Sequence, residues 1–232
     1  LKRRTKLLSR KRRNKMRPFE VSSVEDLRLL RGNRLVLDIP HLVIKSGTVT
    51  ILSGPNGSGK TTLLKVLAGL IKANEGTFRS ATQEISATSA PKEFSGSHLY
   101  LHQVAYMFSG TVVDNLAFGL KQRKHTSSII KSKIKQTLEW ASLTHLAHRE
   151  AKSLSTGEQH QVALARARIL DPQLLLLDET TAHMDKSARI RTYQLVKDLQ
   201  NDGVTMLFAT HEEESQHELD SPTLRIANGK LL

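Results

Sequence analysis

The sequence predicts an α/β fold built on a mostly parallel sheet, and three observations predict it. The run Gly54-Pro55-Asn56-Gly57-Ser58-Gly59-Lys60-Thr61-Thr62 sits between an apolar stretch, Val49–Leu52, and a helix-like stretch, Leu63–Leu70. Strand, glycine-rich turn and helix therefore follow one another there. Two further apolar runs, Leu174–Leu177 and Val204–Ala209, are short and unbroken, as strands covered on both faces are. The amphipathic stretch Lys186–Gln200 lies between those two runs. Strand–helix–strand alternation of this kind implies right-handed crossovers.

Taken in order, the chain opens with Leu1–Arg17, which holds ten Lys or Arg and no acid. A block of like charges repels itself and is expected to be disordered alone. A solvated arm is the simplest reading, attraction to anionic lipid headgroups the next, and nucleic acid the third. Residues 18–232 are expected to form one unit. Phe19–Val24 and Leu35–Ile44 are apolar runs broken by Gly32-Asn33 and Pro40, and predict short strands of an edge sheet. Thr48–Ser53 is the strand that feeds the glycine-rich turn. Gly76 to Gly96 is rich in Ser and Thr and predicts a hairpin and a loop. Leu99–Leu101 is a brief strand that runs into His102-Gln103. Thr126–His148 carries helical spacing at Ile130, Ile134, Leu138, Ala141 and Leu146. Gly157–Leu170 is a further helix, stopped by Asp171-Pro172. Leu224–Ala227, Asn228-Gly229 and Lys230–Leu232 predict a terminal hairpin.

Composition excludes several functions. The 232 residues contain no cysteine, which rules out disulfides and thiolate metal sites and suits a reducing compartment. Ten histidines are scattered without ligand spacing. No apolar run approaches the ~20 residues of a membrane helix. The net charge of +13 is a property of the tail. With its ten cations set aside, 25 of the 35 Lys and Arg remain against all 22 acids, a net of +3.

The chemistry starts at Gly54–Thr62, which fits the phosphate-loop pattern G-x-x-x-x-G-K-[ST]. Its glycines let successive backbone N–H groups turn inward around phosphate oxygens, and the positive end of the next helix points at the same place. Gly54, Pro55, Asn56, Gly57, Ser58, Gly59, Lys60, Thr61 and Thr62 are thus the candidate nucleotide contacts. Lys60 reaches the β- and γ-phosphates, and the Thr61 hydroxyl binds Mg²⁺. Four leucines running into Asp178-Glu179 supply a second element. Asp178 is a candidate to hold Mg²⁺ through water, and Glu179, one residue on, to activate the attacking water.

Leu154-Ser155-Thr156-Gly157-Glu158, followed by Val162-Ala163-Leu164-Ala165-Arg166-Ala167, resembles the LSGGQ signature of ABC ATPases. The order phosphate loop, Gln103, signature, Asp178-Glu179, His211 resembles an ABC nucleotide-binding domain over roughly Phe19 to Leu232. The resemblance implies a RecA-like P-loop NTPase core with a small antiparallel β subdomain and an α-helical subdomain at about 104–155. It implies ATP with Mg²⁺, and hydrolysis by direct attack of water. Gln103 is then the glutamine that contacts Mg²⁺ and the water. His211 is the switch histidine at the γ-phosphate, and Asp185 the D-loop aspartate. Ser155 and Gly157 serve the nucleotide of a second copy in a head-to-tail homodimer. Separate transmembrane permease subunits are implied as partners, contacted by the helical subdomain, and the segment from Phe108 to Asn115 resembles the lead-in to that subdomain. A periplasmic or extracellular substrate-binding protein acts indirectly, and nucleic acid is not expected. The chain would lie on the cytoplasmic face of the membrane. The wording over Phe108–Leu120 resembles bacterial importers, with the tungstate or molybdate group as the finer likeness.

The sequence departs from the family at several positions. Thr156 replaces a Gly, Glu158 a Gln, and Thr180 a Pro, while Gln161 stands where Arg is usual. Arg31 occupies the position of the aromatic that stacks on adenine, a role a guanidinium plane can fill. A carboxylate at Glu158 is expected to oppose a nearby triphosphate unless it points away. The rival readings are a soluble ABC ATPase acting on ribosomes or DNA, a P-loop kinase and an inactive regulator. The single nucleotide domain, the signature, and the intact Lys60, Glu179 and His211 argue against them in turn.

Overall fold

The computed structural model describes residues 21–81, 83–89, 94, 97–181, 184–211 and 213–232. The basic tail at 1–17 lies outside them, as does part of the 76–96 loop. Strands β1 (Ser23–Arg31) and β2 (Arg34–Val43) form a hairpin closed at Gly32-Asn33, where Gly32 takes φ +58. Pro40 was expected to break this second run, and it does not. The strand β2 is the outer strand of its sheet, so a residue without an N–H loses no partner on the open side. Opposite it Asp26 takes φ +50, and the β1–β2 register runs through unbroken, shifting only further along between Leu29 and Leu30. Strands β4 (Glu75–Arg79) and β5 (Glu84–Ser86) complete an antiparallel sheet in the order β2-β1-β4-β5.

The second sheet has six strands in the order β10-β9-β3-β8-β7-β6. They are β3 (Val49–Ser53), β6 (His98–Leu101), β7 (Leu174–Asp178), β8 (Thr205–Thr210), β9 (Thr223–Ala227) and β10 (Lys230–Leu231). All pairings are parallel except the terminal β9–β10 hairpin. Alternation along β7 divides the four leucines between two cores. Leu174 and Leu176 face helix α1 (Lys60–Leu67) and the antiparallel sheet, while Leu175 and Leu177 face the opposite helical layer. Both faces are covered, which is why the strand reads as an unbroken apolar run.

Helices α4 (Thr156–Ile169) and α5 (Lys186–Asn201) pack on that opposite face. Nine residues of α4 are buried, on nearly every side, because the sheet, α5 and two more helices surround it. Those two are α2 (Val112–Gln122) and α3 (Ser127–Trp140). The helix expected over Thr126–His148 stops at Trp140, where Ser142 turns to φ +55, and one 3₁₀ turn follows at Thr144–Leu146. Helix α2 was missed as a helix. Its start is fixed by a capping box in which Thr111 Oγ1 accepts from Asp114 N and Asp114 Oδ2 accepts from Thr111 N. Helix α6 (Glu213–Leu219) was also missed. Among the described residues no helix is long and apolar enough to cross a membrane.

Candidate active site

The phosphate loop joins β3 to α1 at the carboxyl edge of the parallel sheet, where ligands of open α/β sheets bind. Gly57 (φ +76) and Gly59 (φ +113) take positive-φ backbone, where a side chain would be strained. At Gly54 the constraint is space, since a Cβ would run into the Ile226 carbonyl. The loop borders a cavity of about 350 Å³ whose walls include Asn56, Lys60, Thr61, Gln103 and Glu179.

Two loop side chains are committed and a third is not. Lys60, buried, donates from Nζ to Gly54 O at 2.7 Å and to Pro55 O at 3.2 Å. Thr61 Oγ1 donates to Asp178 Oδ1 at 3.0 Å. Ser58 Oγ is buried with no hydrogen-bond partner among the described residues. A hydroxyl beside a carboxylate is a hard oxygen pair of the kind Mg²⁺ takes in phosphate sites.

Asp178 has a second partner that sequence reasoning missed. Tyr100 donates its hydroxyl to Asp178 Oδ2 at 2.6 Å. Burial and that carboxylate push the Tyr100 phenol far above its ordinary value, so it stays a donor. The cue was only register: Tyr100 pairs with Leu176, two residues before Asp178.

Glu179 gathers the remaining residues. Its Oε1 lies 3.5 Å from Lys60 Nζ and 3.3 Å from His211 Nδ1, and its Oε2 accepts from Gln103 Nε2 at 3.5 Å. The residue itself takes φ +47, a conformation that side chains avoid unless the surroundings impose it. The structure therefore brings together Lys60, Thr61, Gln103, Asp178, Glu179 and His211. It leaves Arg31 exposed at the tip of the β1–β2 hairpin, while Val36 of the same hairpin lines the cavity.

Ser155 and Gly157 also stay apart from the cavity. Ser155 caps α4: its Oγ accepts from Glu158 N at 3.4 Å, and Glu158 Oε2 accepts from Ser155 N and Oγ, both at 2.9 Å. Those bonds, the backbone N–H first, hold the Glu158 carboxyl below its ordinary value. Gly157 is the point where α4 and α5 touch, with room for no more than a hydrogen. Asp185 caps α5 by accepting from Ala188 N at 2.9 Å.

A glycine cradle at a strand–helix turn, a hydroxyl–carboxylate pair behind it and a second carboxylate at its mouth define a P-loop nucleotide-binding protein. The chain belongs to the ABC transporter family, whose sequence model matches residues 37–182. The spermidine/putrescine import ATP-binding protein PotA of Bacteroides thetaiotaomicron is 34% identical over 206 residues, 86% of this chain and 43% of that protein. The sulfate/thiosulfate import ATP-binding protein CysA of Mesostigma viride is 35% identical over 202 residues, 86% of this chain and 57% of that protein. The chain spans about half the length of the curated relatives it matches. Among solved structures, cbiO1 from Clostridium perfringens, described as part of the ABC transporter complex cbiONQ, superposes with a TM-score of 0.82. That match has 25% identity over 92% of this chain and 87% of the other.

Proposed function

We propose that this chain binds ATP with Mg²⁺ and hydrolyses it as one of a head-to-tail pair, powering an importer through separate permease subunits. The observation that carries the reading is Glu179, held by Lys60, Gln103 and His211 at the mouth of the phosphate loop. The loop amides and Lys60 hold the phosphate oxygens. Thr61 and Asp178, with Gln103, hold Mg²⁺, which supplies charge neutralisation on the phosphates. Glu179 takes the proton of the attacking water as its oxygen bonds to the γ-phosphorus. The bond to the β–γ bridging oxygen breaks, leaving ADP and phosphate. His211 sits on the same carboxylate and senses the γ-phosphate. Ser155 and Gly157 are offered to the nucleotide of the second copy. Val36, with Arg31 at the tip of the same hairpin, is the surface left for the base.

The segment 104–155 is proposed as the subdomain that meets the permease. Val104 and Tyr106, 71% and 67% exposed, stand beside a groove of about 580 Å³ just after Gln103. A permease docked there would act on the residue that enters the nucleotide cavity. The chain would then sit on the cytoplasmic face of the membrane, with a substrate-binding protein on the far side. The named relatives are import ATP-binding proteins for spermidine/putrescine and for sulfate/thiosulfate respectively, so the cargo is assigned to the permease and binding protein rather than to this chain. Glu179→Gln tests the reading. It should keep ATP binding, lower turnover by ~10²–10⁴ and trap an ATP-bound dimer on size exclusion. Turnover near that of the wild type would place the base elsewhere.

A further inference from the structure

His160 is buried one turn inside α4, at 3% exposure, and no role has yet been given to it. Both of its ring nitrogens meet backbone carbonyls. Nδ1 lies 2.9 Å from Thr156 O, and Nε2 lies 2.9 Å from Gln103 O. The first contact is local, four residues back on the same helix, and it fixes the plane of the ring. The second crosses 57 residues of chain to the loop after β6. Carbonyl oxygens only accept, so the ring must be the donor. The protonated ring donates to both at once, and either neutral tautomer to one.

The two carbonyls belong to the two working parts of the chain. Gln103 sends its side chain to Glu179, and Thr156 is the first helical residue between Ser155 and Gly157. A second tie from α4 to the same loop exists further along, where Arg166 Nη2 donates to Tyr106 O at 2.9 Å, but it reaches neither motif.

We propose that His160 is a positioning residue that fastens the Gln103 loop to the first turn of α4. Occupancy of this chain's own cavity then sets the placement of the Ser155–Gly157 turn offered to the second copy. The proposal rests on the paired-ATPase reading above.

The test compares His160→Leu and His160→Gln, each alone and in the Glu179→Gln background. Leu keeps an apolar side chain of similar size and donates nothing, whereas a Gln amide can reach one of the two carbonyls. Four quantities are read: Mg-ATP affinity by calorimetry, melting temperature, the fraction of ATP-trapped dimer, and the split of kcat against KM. His160→Leu should leave ATP affinity within about twofold, reduce the trapped dimer, and lower kcat about tenfold, the scale of one lost hydrogen bond. His160→Gln should recover part of both losses.

Unchanged dimer and kcat in His160→Leu overturn the proposal. So does a loss of ATP affinity and melting temperature in step with kcat that Gln does not relieve, which would make the residue purely structural. If His160→Leu does not fold, the proposal stands or falls on His160→Gln, which should show a smaller loss of the same kind with ATP affinity kept. Failure of Glu179→Gln alone to trap a dimer would instead defeat the paired reading, and the proposal with it.

Discussion

Placing a methyl group on Gly157 tests how the signature turn is supported. The residue has ordinary helical backbone, so the cost of a side chain is one of contact. A Cβ there would lie 2.6 Å from Ala188 Cβ on α5. Carbon atoms rest ~3.5–4.0 Å apart, so the two helices must separate by about 1 Å at that point. Neither atom ends a flexible side chain that can swing aside. Overpacking of this kind costs ~1–3 kcal/mol. The better helix propensity of Ala returns ~1 kcal/mol. The net is ~0–2 kcal/mol, or a fall of up to roughly 8 °C in melting temperature for a domain of this size. Gly157→Val should fall further. The larger effect is expected on function, because the displaced helix starts carry Ser155 on one side and the Asp185 cap on the other. ATP turnover should drop while Mg-ATP affinity, set at the phosphate loop, stays near that of the wild type. Ala188→Gly, which removes the opposing methyl, should rescue Gly157→Ala in a double-mutant cycle. The reasoning is refuted if Gly157→Val melts and turns over like the wild type, or if the two substitutions simply add.

Two further outcomes follow from the same geometry. Lys60→Ala and Ser155→Arg subunits, each inactive alone, should regain activity when mixed, because the heterodimer holds one site with both residues intact; normal hydrolysis by each mutant alone would show that the site is not shared. Glu158 titrates below its ordinary value in the fold, so its contribution to stability is complete above the unfolded-state value of about 4.3 and is lost as pH falls through the lower folded value. The melting-temperature gap between wild type and Glu158→Gln should therefore be flat near neutrality and narrow below about pH 4, and a gap that stays constant into acid would refute the cap.

What the sequence revealed depended on whether the physics was local. The phosphate loop was legible because positive φ at Gly57 and Gly59 and a lysine one step on are consecutive requirements. Strand β7 was legible because burial on both faces removes alternation. Pro40 misled because proline excludes a strand only where a ladder needs its N–H, and edge position is not written locally. The α3 end at Trp140 was overrun because apolar residues continue past Ser142 on a different path. Helix α2 carried its start signal, the Thr111–Asp114 capping box, directly after Gly110, whose positive φ belongs to a turn. Tyr100 and His160 were illegible for a stronger reason: their partners are an aspartate and a carbonyl, 78 and 57 positions away in the chain.

The same distinction bears on Glu158, the departure expected to oppose a triphosphate. A carboxylate at the third position of a helix has two uses, and the structure shows which one is taken. It turns back onto its own helix start and accepts from Ser155 N and Oγ, so its charge is spent on N–H and O–H dipoles. The Ser155 hydroxyl is thereby occupied as a donor within its own chain. A phosphate brought by a second copy would have to compete with Glu158 for that proton, whereas a glutamine there would offer a neutral acceptor and a weaker competitor. The cap that orders the signature turn in the single chain is thus the same contact that closure of a pair must loosen. Glu158→Gln should accordingly lower the melting temperature of the single chain at neutral pH while raising the fraction of ATP-trapped dimer in the Glu179→Gln background. Loss of both together would mean that the carboxylate serves order alone.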